Sequence, residues 1–168
     1  DALVTVRRIG PVTAALWADP AQRTRVATLK ISELRHLGEA LIDSGERDQG
    51  LQWLGQAVAL ADEMASADPR NVFLERRAAT TRSALAYHQL RAGQIAAALP
   101  NSRAYLAVVQ RQYAAQPDVT NLRVLRDDAV TALIEVLLAT GHTDEARALA
   151  LQQIAQDDPA QTRQRAAD

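Results

Sequence analysis

The chain has 168 residues, 48% of them hydrophobic and only 4% aromatic, with a formal net charge of −1. That length can bury a sizeable core in one domain, and the near-neutral charge excludes non-specific electrostatic binding to nucleic acid or an anionic membrane. Cysteine is absent, so disulfides, thiol chemistry and Cys-based zinc sites are excluded.

Leu- and Ala-rich runs with few alternating β-branched residues predict an all-α protein. Residues 1–18 read as the second helix of a preceding, partial unit. Gly10-Pro11 is expected to kink or split it, because Pro lacks an amide donor and clashes with the previous turn. The next helix is predicted from Gln22 to Asp43, with Val26, Leu29, Leu34, Leu37 and Leu41 on its apolar face. Gly45 takes the following turn, where a positive φ costs Gly little. A helix from Arg47 to Ala67 presents Leu51, Leu54, Val58 and Ala61, and Asp68-Pro69 ends it.

Helices are predicted next over Val72–Arg91 and Gln94–Ala115, the second interrupted near its start by Pro100, which either kinks it or sits in the first turn of a restart. The last pair spans Thr120–Ala139 and Asp144–Gln156, with Thr143 as N-cap and Asp144 and Glu145 in the first turn. Val130, Leu133, Ile134, Val136, Leu137 and Leu138 make the helix at Thr120–Ala139 apolar nearly all round, which predicts deep burial. No apolar run reaches the ~20 residues that span a bilayer; the most apolar stretch, Ala129–Thr140, carries Glu135 in its middle. No segment reads as a signal peptide, and the chain opens on Asp1 without Met, which reads as a fragment of a longer protein.

A repeat underlies this order. Gly45, Gly93 and Gly141 are spaced 48 residues apart, and each is followed five residues later by a small residue, Gly50, Ala98 or Ala146. Asp68-Pro69 lies 49 residues after Asp19-Pro20, Gln116-Pro117 comes 48 after that, and Asp158-Pro159 follows 42 later. One Gly and one Pro per fixed period is the pattern of stacked helical hairpins. The units are a partial repeat over 1–19, repeats over 20–69, 70–117 and 118–159, and a polar tail over 160–168.

Leu37-Gly38, Leu41, Gly45, Gly50, Leu54 and Ala57 together resemble the tetratricopeptide repeat. Leu133, Leu137, Gly141, Ala146 and Ala150 repeat the pattern. Leu85, Ala86, Gly93 and Ala98 keep most of it, but Ser102 and Tyr105 stand where the first unit has Leu54 and Ala57. The period exceeds the family's usual ~34 residues, so both helices of each unit are longer than usual. The resemblance implies a right-handed α-solenoid of stacked antiparallel hairpins, about three long repeats plus the partial N-terminal one. Segments such as ALADEMASADPRN are also similar to repeats C-terminal to serine/threonine kinase domains in Gram-negative bacteria.

Few residues point to chemistry. His36, His88 and His142 share no metal-ligand spacing. The pairs Asp127-Asp128 and Asp157-Asp158 read as helix start and stop signals. Nucleophile-elbow, phosphate-loop and kinase motifs are all missing, so no catalytic residue, metal or cofactor is expected. Trp17, Trp53, Tyr105 and Tyr113 read as packing residues.

In the family, the concave groove is lined by residues of the first helix of each hairpin. The resemblance carries that groove onto Ser32, Arg35, Glu39 and Asp43, then Thr80, Ser83, Tyr87 and Arg91, then Asp128, Thr131 and Glu135. Within each helix these recur at three- and four-residue steps and form one stripe. The expected function is a non-catalytic protein–protein interaction or sensing module of a larger bacterial signalling protein, taking a protein or peptide partner. The resemblance to kinase-associated repeats implies the sensor region of a transmembrane serine/threonine kinase, hence periplasmic in that setting and cytoplasmic otherwise. Two alternatives are a self-association domain, giving a homo-oligomer, and a small-ligand sensor with a pocket around Tyr87 and His88. Neither nucleic-acid binding nor direct membrane insertion is expected.

Overall fold

The structure, a computed structural model, describes residues 2–19 and 22–157, and among these every regular element is an α-helix. In chain order they are α1 (Ala2–Ala18), α2 (Arg23–Asp43), α3 (Arg47–Ala67), α4 (Val72–Arg91), α5 (Ile95–Ala115), α6 (Thr120–Ala139) and α7 (Thr143–Asp157). Each packs on its neighbour in sequence, and α4 also touches α6. Among the described residues no helix is long and apolar enough to cross a membrane.

The turns are built from local hydrogen bonds. Gly45, Gly93 and Gly141 adopt φ of 98°, 77° and 78°. Each Gly N–H donates to the carbonyl three residues back, and the following N–H reaches five back: Glu46 to Leu41 at 2.9 Å, Gln94 to Gln89 at 2.9 Å, His142 to Leu137 at 2.8 Å. This pairing satisfies carbonyls left open at a helix end and requires the left-handed conformation that Gly adopts without strain. The other junctions are set by proline. Asp68 and Gln116, each preceding a Pro, have φ of −134° and −145°, outside the helical region. Asn71 Oδ1 then accepts from Leu74 N at 3.3 Å and caps α4.

Paired helices run antiparallel. Gly50 near the start of α3 lies against Gly38 and Ile42 late in α2, whereas Ala61, further along α3, shares a cluster with Ile31. A Cβ on Gly50 would stand 2.5 Å from Gly38 O and 2.5 Å from Ile42 Cγ1, so the α2 and α3 backbones are nearly in contact. The same arrangement recurs at Ala86 and Ala98 between α4 and α5, and at Leu137 and Ala146 between α6 and α7.

The core runs through the helix pairs. Leu54, Val109 and Leu137 are fully enclosed, and Tyr105 of α5 is buried with Val109, Ala129, Val130 and Leu133. Two buried polar side chains lie between helices. Gln112 of α5 accepts from Arg76 Nε at 2.8 Å and donates to Glu75 Oε2 at 3.0 Å on α4. Arg126 of α6 sits over the Tyr113 ring of α5 at 4.5 Å, donates to Asp127 Oδ1 at 2.6 Å and reaches Gln156 Oε1 of α7 at 3.3 Å. A buried charge is tolerable only with such partners.

Several expectations need correction. Neither proline splits its helix: α1 runs through Pro11 and α5 through Pro100. Both prolines are exposed, as is Ala96, whose carbonyl loses its donor at Pro100 and is left to water. On α2, Leu29 faces solvent and Ile31 is buried in its place. That helix is covered by α1 on one side and α3 on the other, so its buried surface is wider than one stripe. On α6, Val130, Leu133, Val136 and Leu137 are buried and Ile134 half-buried, but Leu138 is exposed. Thr143 is the first residue of α7 rather than its cap. Asp127 and Asp128 lie well inside α6 and mark neither end of it. Trp17 and Trp53 are half-buried. Asp158-Pro159 and the 160–168 tail lie outside the described residues.

The crossing at Gly50 leads to paired expectations. Gly50→Ala must push two backbones apart and is expected to destabilise the chain by about 1–3 kcal/mol. Gly55→Ala, within α3 and with nothing inside 4 Å of an added Cβ, is expected to stabilise it by about 0.5–1 kcal/mol. Urea denaturation of both variants reads the contrast; similar shifts in one direction would contradict the close crossing.

Candidate functional site

Most of the stripe residues expected from the sequence come together where α2, α4 and α6 present their faces side by side. An open cleft of about 470 Å³ lies there. It is lined by Arg35 and Glu39 of α2, by Thr80, Ser83, Ala84, Ala86, Tyr87, His88 and Leu90 of α4, by Ser102 of α5, and by Asp128, Ala132, Glu135 and Val136 of α6.

Seven of the eleven expected positions therefore lie in one cleft: Arg35, Glu39, Thr80, Ser83, Tyr87, Asp128 and Glu135. The other four do not line it. Ser32 is turned back on its own helix and donates to Thr28 O at 3.0 Å. Thr131 does the same to Asp127 O at 3.0 Å. Asp43 is exposed at the end of α2. Arg91 is exposed and its guanidinium stands 5.5 Å from the centre of the Tyr87 ring.

Ser102 was not expected, although the sequence carries a signal for it. Offset by 48 residues, Gly38 and Leu54 correspond to Ala86 and Ser102. In the first pair Leu54 fills the crossing: its Cγ would lie 2.9 Å from a Cβ on Gly38. In the second pair a hydroxymethyl group replaces the isobutyl group, and both Ala86 and Ser102 line the cleft. The side chain of Ser102 is 2% exposed, and among the described residues its hydroxyl makes no hydrogen bond.

The charges are uneven. Three carboxylates, from Glu39, Asp128 and Glu135, share the lining with one guanidinium, that of Arg35. Glu39 is engaged: its Oε1 is 3.8 Å from Arg35 Nε and its Oε2 3.2 Å from His36 Nδ1. Asp128 and Glu135 form no ion pair among the described residues. Arg35 Nε is enclosed and lacks a hydrogen-bond partner among the described residues, since 3.8 Å is beyond hydrogen-bonding distance.

His88 stands edge-to-face against Tyr87, ring centres 5.0 Å apart. Burial holds its pKa below the ordinary histidine value; the charges of Glu39 and Asp43 partly offset this and Arg91 adds to it. At neutral pH it is an uncharged lining group. Below the cleft, burial pushes the Tyr105 phenol up, and the charge of Asp128 adds to the shift. His88 makes no hydrogen bond to Ser83 or Ser102 among the described residues. Among the described residues no three His, Asp or Glu side chains converge as metal donors. The remaining histidines stand apart, His36 beside Glu39 and His142 with Nδ1 2.8 Å from Thr140 Oγ1.

A second cleft, about 580 Å³, lies over α3, α4 and α5 and is lined by Asp62, Ala65, Glu75, Ala78, Arg82 and Val108 among others. Its charged groups already have partners: Arg82 donates to Asp62 at 2.7 Å, and Glu75 is held by Arg111 and Gln112. The α2–α4–α6 cleft is the one with polar groups left open, and it is the candidate site. No protein-family model, curated protein or solved structure matches this chain.

Because the Ser102 hydroxyl has no partner to lose, Ser102→Ala is expected to change stability by less than about 0.5 kcal/mol. Leu54→Ala, at the corresponding position of the first pair, is expected to cost about 2–5 kcal/mol. Chemical denaturation of the two variants distinguishes an open floor from a packed one.

The depressed His88 pKa sets a pH dependence. Between its folded value and the unfolded value near 6.5, the unfolded chain binds the extra proton. The contribution of His88 to stability is thus intact above pH ~6.5 and lost as pH falls through the folded pKa. In His88→Gln the fall in melting temperature on acidification below pH ~6.5 is expected to be shallower than in the parent chain. Parallel pH profiles would show that His88 is not the titrating group.

Proposed function

We propose that this chain is a non-catalytic interaction module that receives a segment of a partner protein in the α2–α4–α6 cleft. The observation that carries this reading is the convergence of eight polar or aromatic side chains, from three helices distant in sequence, on one open cleft. Tyr and Arg are the residue types that dominate binding hot spots, and Tyr87 and Arg35 are both in the lining.

We read the architecture as a right-handed solenoid of long tetratricopeptide-like hairpins. Support comes from the 48-residue spacing of Gly45, Gly93 and Gly141, their shared turn geometry, and contacts that run chiefly between sequence neighbours. In such a solenoid, helices that alternate along the chain share a face, so α2, α4 and α6 would form one continuous concave surface. The similarity of ALADEMASADPRN to kinase-associated bacterial repeats supports a signalling context, with the module acting as the sensing region of a larger protein.

The test is affinity capture from lysate of the source organism with three baits. Ser83→Trp places an indole in the cleft; Gln56→Trp places the same indole on α3, which contributes nothing to the lining. The parent chain and Gln56→Trp are expected to capture the same protein, and Ser83→Trp to lose it. Equal capture by all three would move the interaction to another face. Recovery of the chain alone would favour self-association through the exposed Leu138, Leu151 and Ile154.

A further inference from the structure

Resting on the reading of the cleft as a docking site, we propose that its occupant is a basic peptide segment, with an arginine or lysine side chain held by Asp128 and Glu135 beside Tyr87. Three observations converge on this chemistry.

Charge comes first. The lining has three carboxylates and one guanidinium. The Arg35 guanidinium is set against Glu39 on its own helix, which leaves Asp128 and Glu135 without a cationic partner among the described residues. They lie seven residues apart on α6, two turns along the same face. Elsewhere the carboxylates of Asp62, Glu75 and Glu145 are each matched by an arginine from another helix. A cation entering this cleft meets an uncompensated negative field.

The second observation is Ser102, a residue 2% exposed that lines the cleft, whose hydroxyl makes no hydrogen bond among the described residues and is not sealed in the interior, so that it opens into the cleft. A hydroxyl oxygen accepts from an ammonium or guanidinium N–H. Acidic residues on a solvated helix face need no such group beneath them.

The third observation separates a peptide from a free amine. Arg35 lines the cleft and its guanidinium makes no hydrogen bond among the described residues; Nε is enclosed, but the terminal nitrogens are not. A simple cation brings only donors and would leave those N–H groups unmatched. A peptide brings its cation to the carboxylates and backbone carbonyls as well, and a carbonyl is the acceptor that Arg35 lacks. His88, kept neutral by burial, adds no competing positive charge near neutral pH.

The experiment is selection of a randomised peptide library on the 168-residue chain, with Ser83→Trp as the blocked control and Asp128→Asn/Glu135→Gln as the charge-neutral variant. Both of the latter substitutions are isosteric and on exposed residues, and far-UV circular dichroism checks that the helices persist. Peptides that prefer the parent chain over Ser83→Trp are expected to be enriched in Arg or Lys. Their affinity is expected to fall about tenfold in the charge-neutral variant, and to fall with rising salt in the parent chain. Cleft-dependent peptides lacking basic residues would overturn the proposal while the docking reading stands. No peptide preferring the parent chain over Ser83→Trp would overturn both. Arginine amide or spermidine alone raising the melting temperature as much as the selected peptides do would replace the peptide by a small cation and overturn the assignment of the occupant.

Discussion

The closeness with which paired helices approach one another governs both the packing and the cleft. Between α2 and α3 the approach is so tight that a methyl group on Gly50 would stand 2.5 Å from a main-chain oxygen. Such contact is open only to residues with little or no side chain, and in the next pair the small residues Ala86 and Ala98 are buried in one cluster at the corresponding positions. What fills the space beside the crossing then decides the local outcome. Leu54 fills it and yields a closed core, whereas Ser102 leaves room and yields the floor of a cleft. The candidate site is thus a variation on the packing rule that builds the fold.

Polar groups divide along the same lines. Those at helix interfaces are matched: Arg126 lies on Tyr113 and binds Asp127 and Gln156, while Gln112 binds Arg76 and Glu75. Burial imposes this, because an unpaired ion in the interior costs several kcal/mol. The cleft departs from the pattern. Asp128 and Glu135 are exposed and without a cationic partner among the described residues, and the Ser102 hydroxyl and the Arg35 guanidinium make no hydrogen bond among them either. Departures from internal satisfaction mark places where another molecule can complete the set.

Much of the secondary structure was legible because its signals are local. A Gly that must adopt positive φ and a residue held extended by the following Pro act within five residues of themselves, and the helix limits around Gly45, Gly93, Gly141, Pro69 and Pro117 follow. Of the outcomes expected at Pro11 and Pro100, a break in the helix is excluded, since α1 and α5 run through them; at Pro100 the residue whose carbonyl loses its donor, Ala96, is exposed to water. Leu29 misled because a single amphipathic stripe describes a helix with one neighbour, and α2 has two. At the cleft, seven residues could be placed together from repeat alignment alone. Ser32 and Thr131 could not be told apart from them by residue spacing: their hydroxyls fold back onto their own helices, as does that of Thr80, which does line the cleft.

By itself the sequence determined that this chain is helical, where its turns fall and which small residues recur. Those properties depend on backbone dihedrals and on hydrogen bonds that span only a few residues. Only the tertiary structure decided which faces meet, that Ile31 rather than Leu29 is enclosed, and that Asp128 and Glu135 border the same cavity as Arg35 and Ser102. These outcomes turn on the volume left between side chains from different helices. That volume is settled by what packs beside each residue in space.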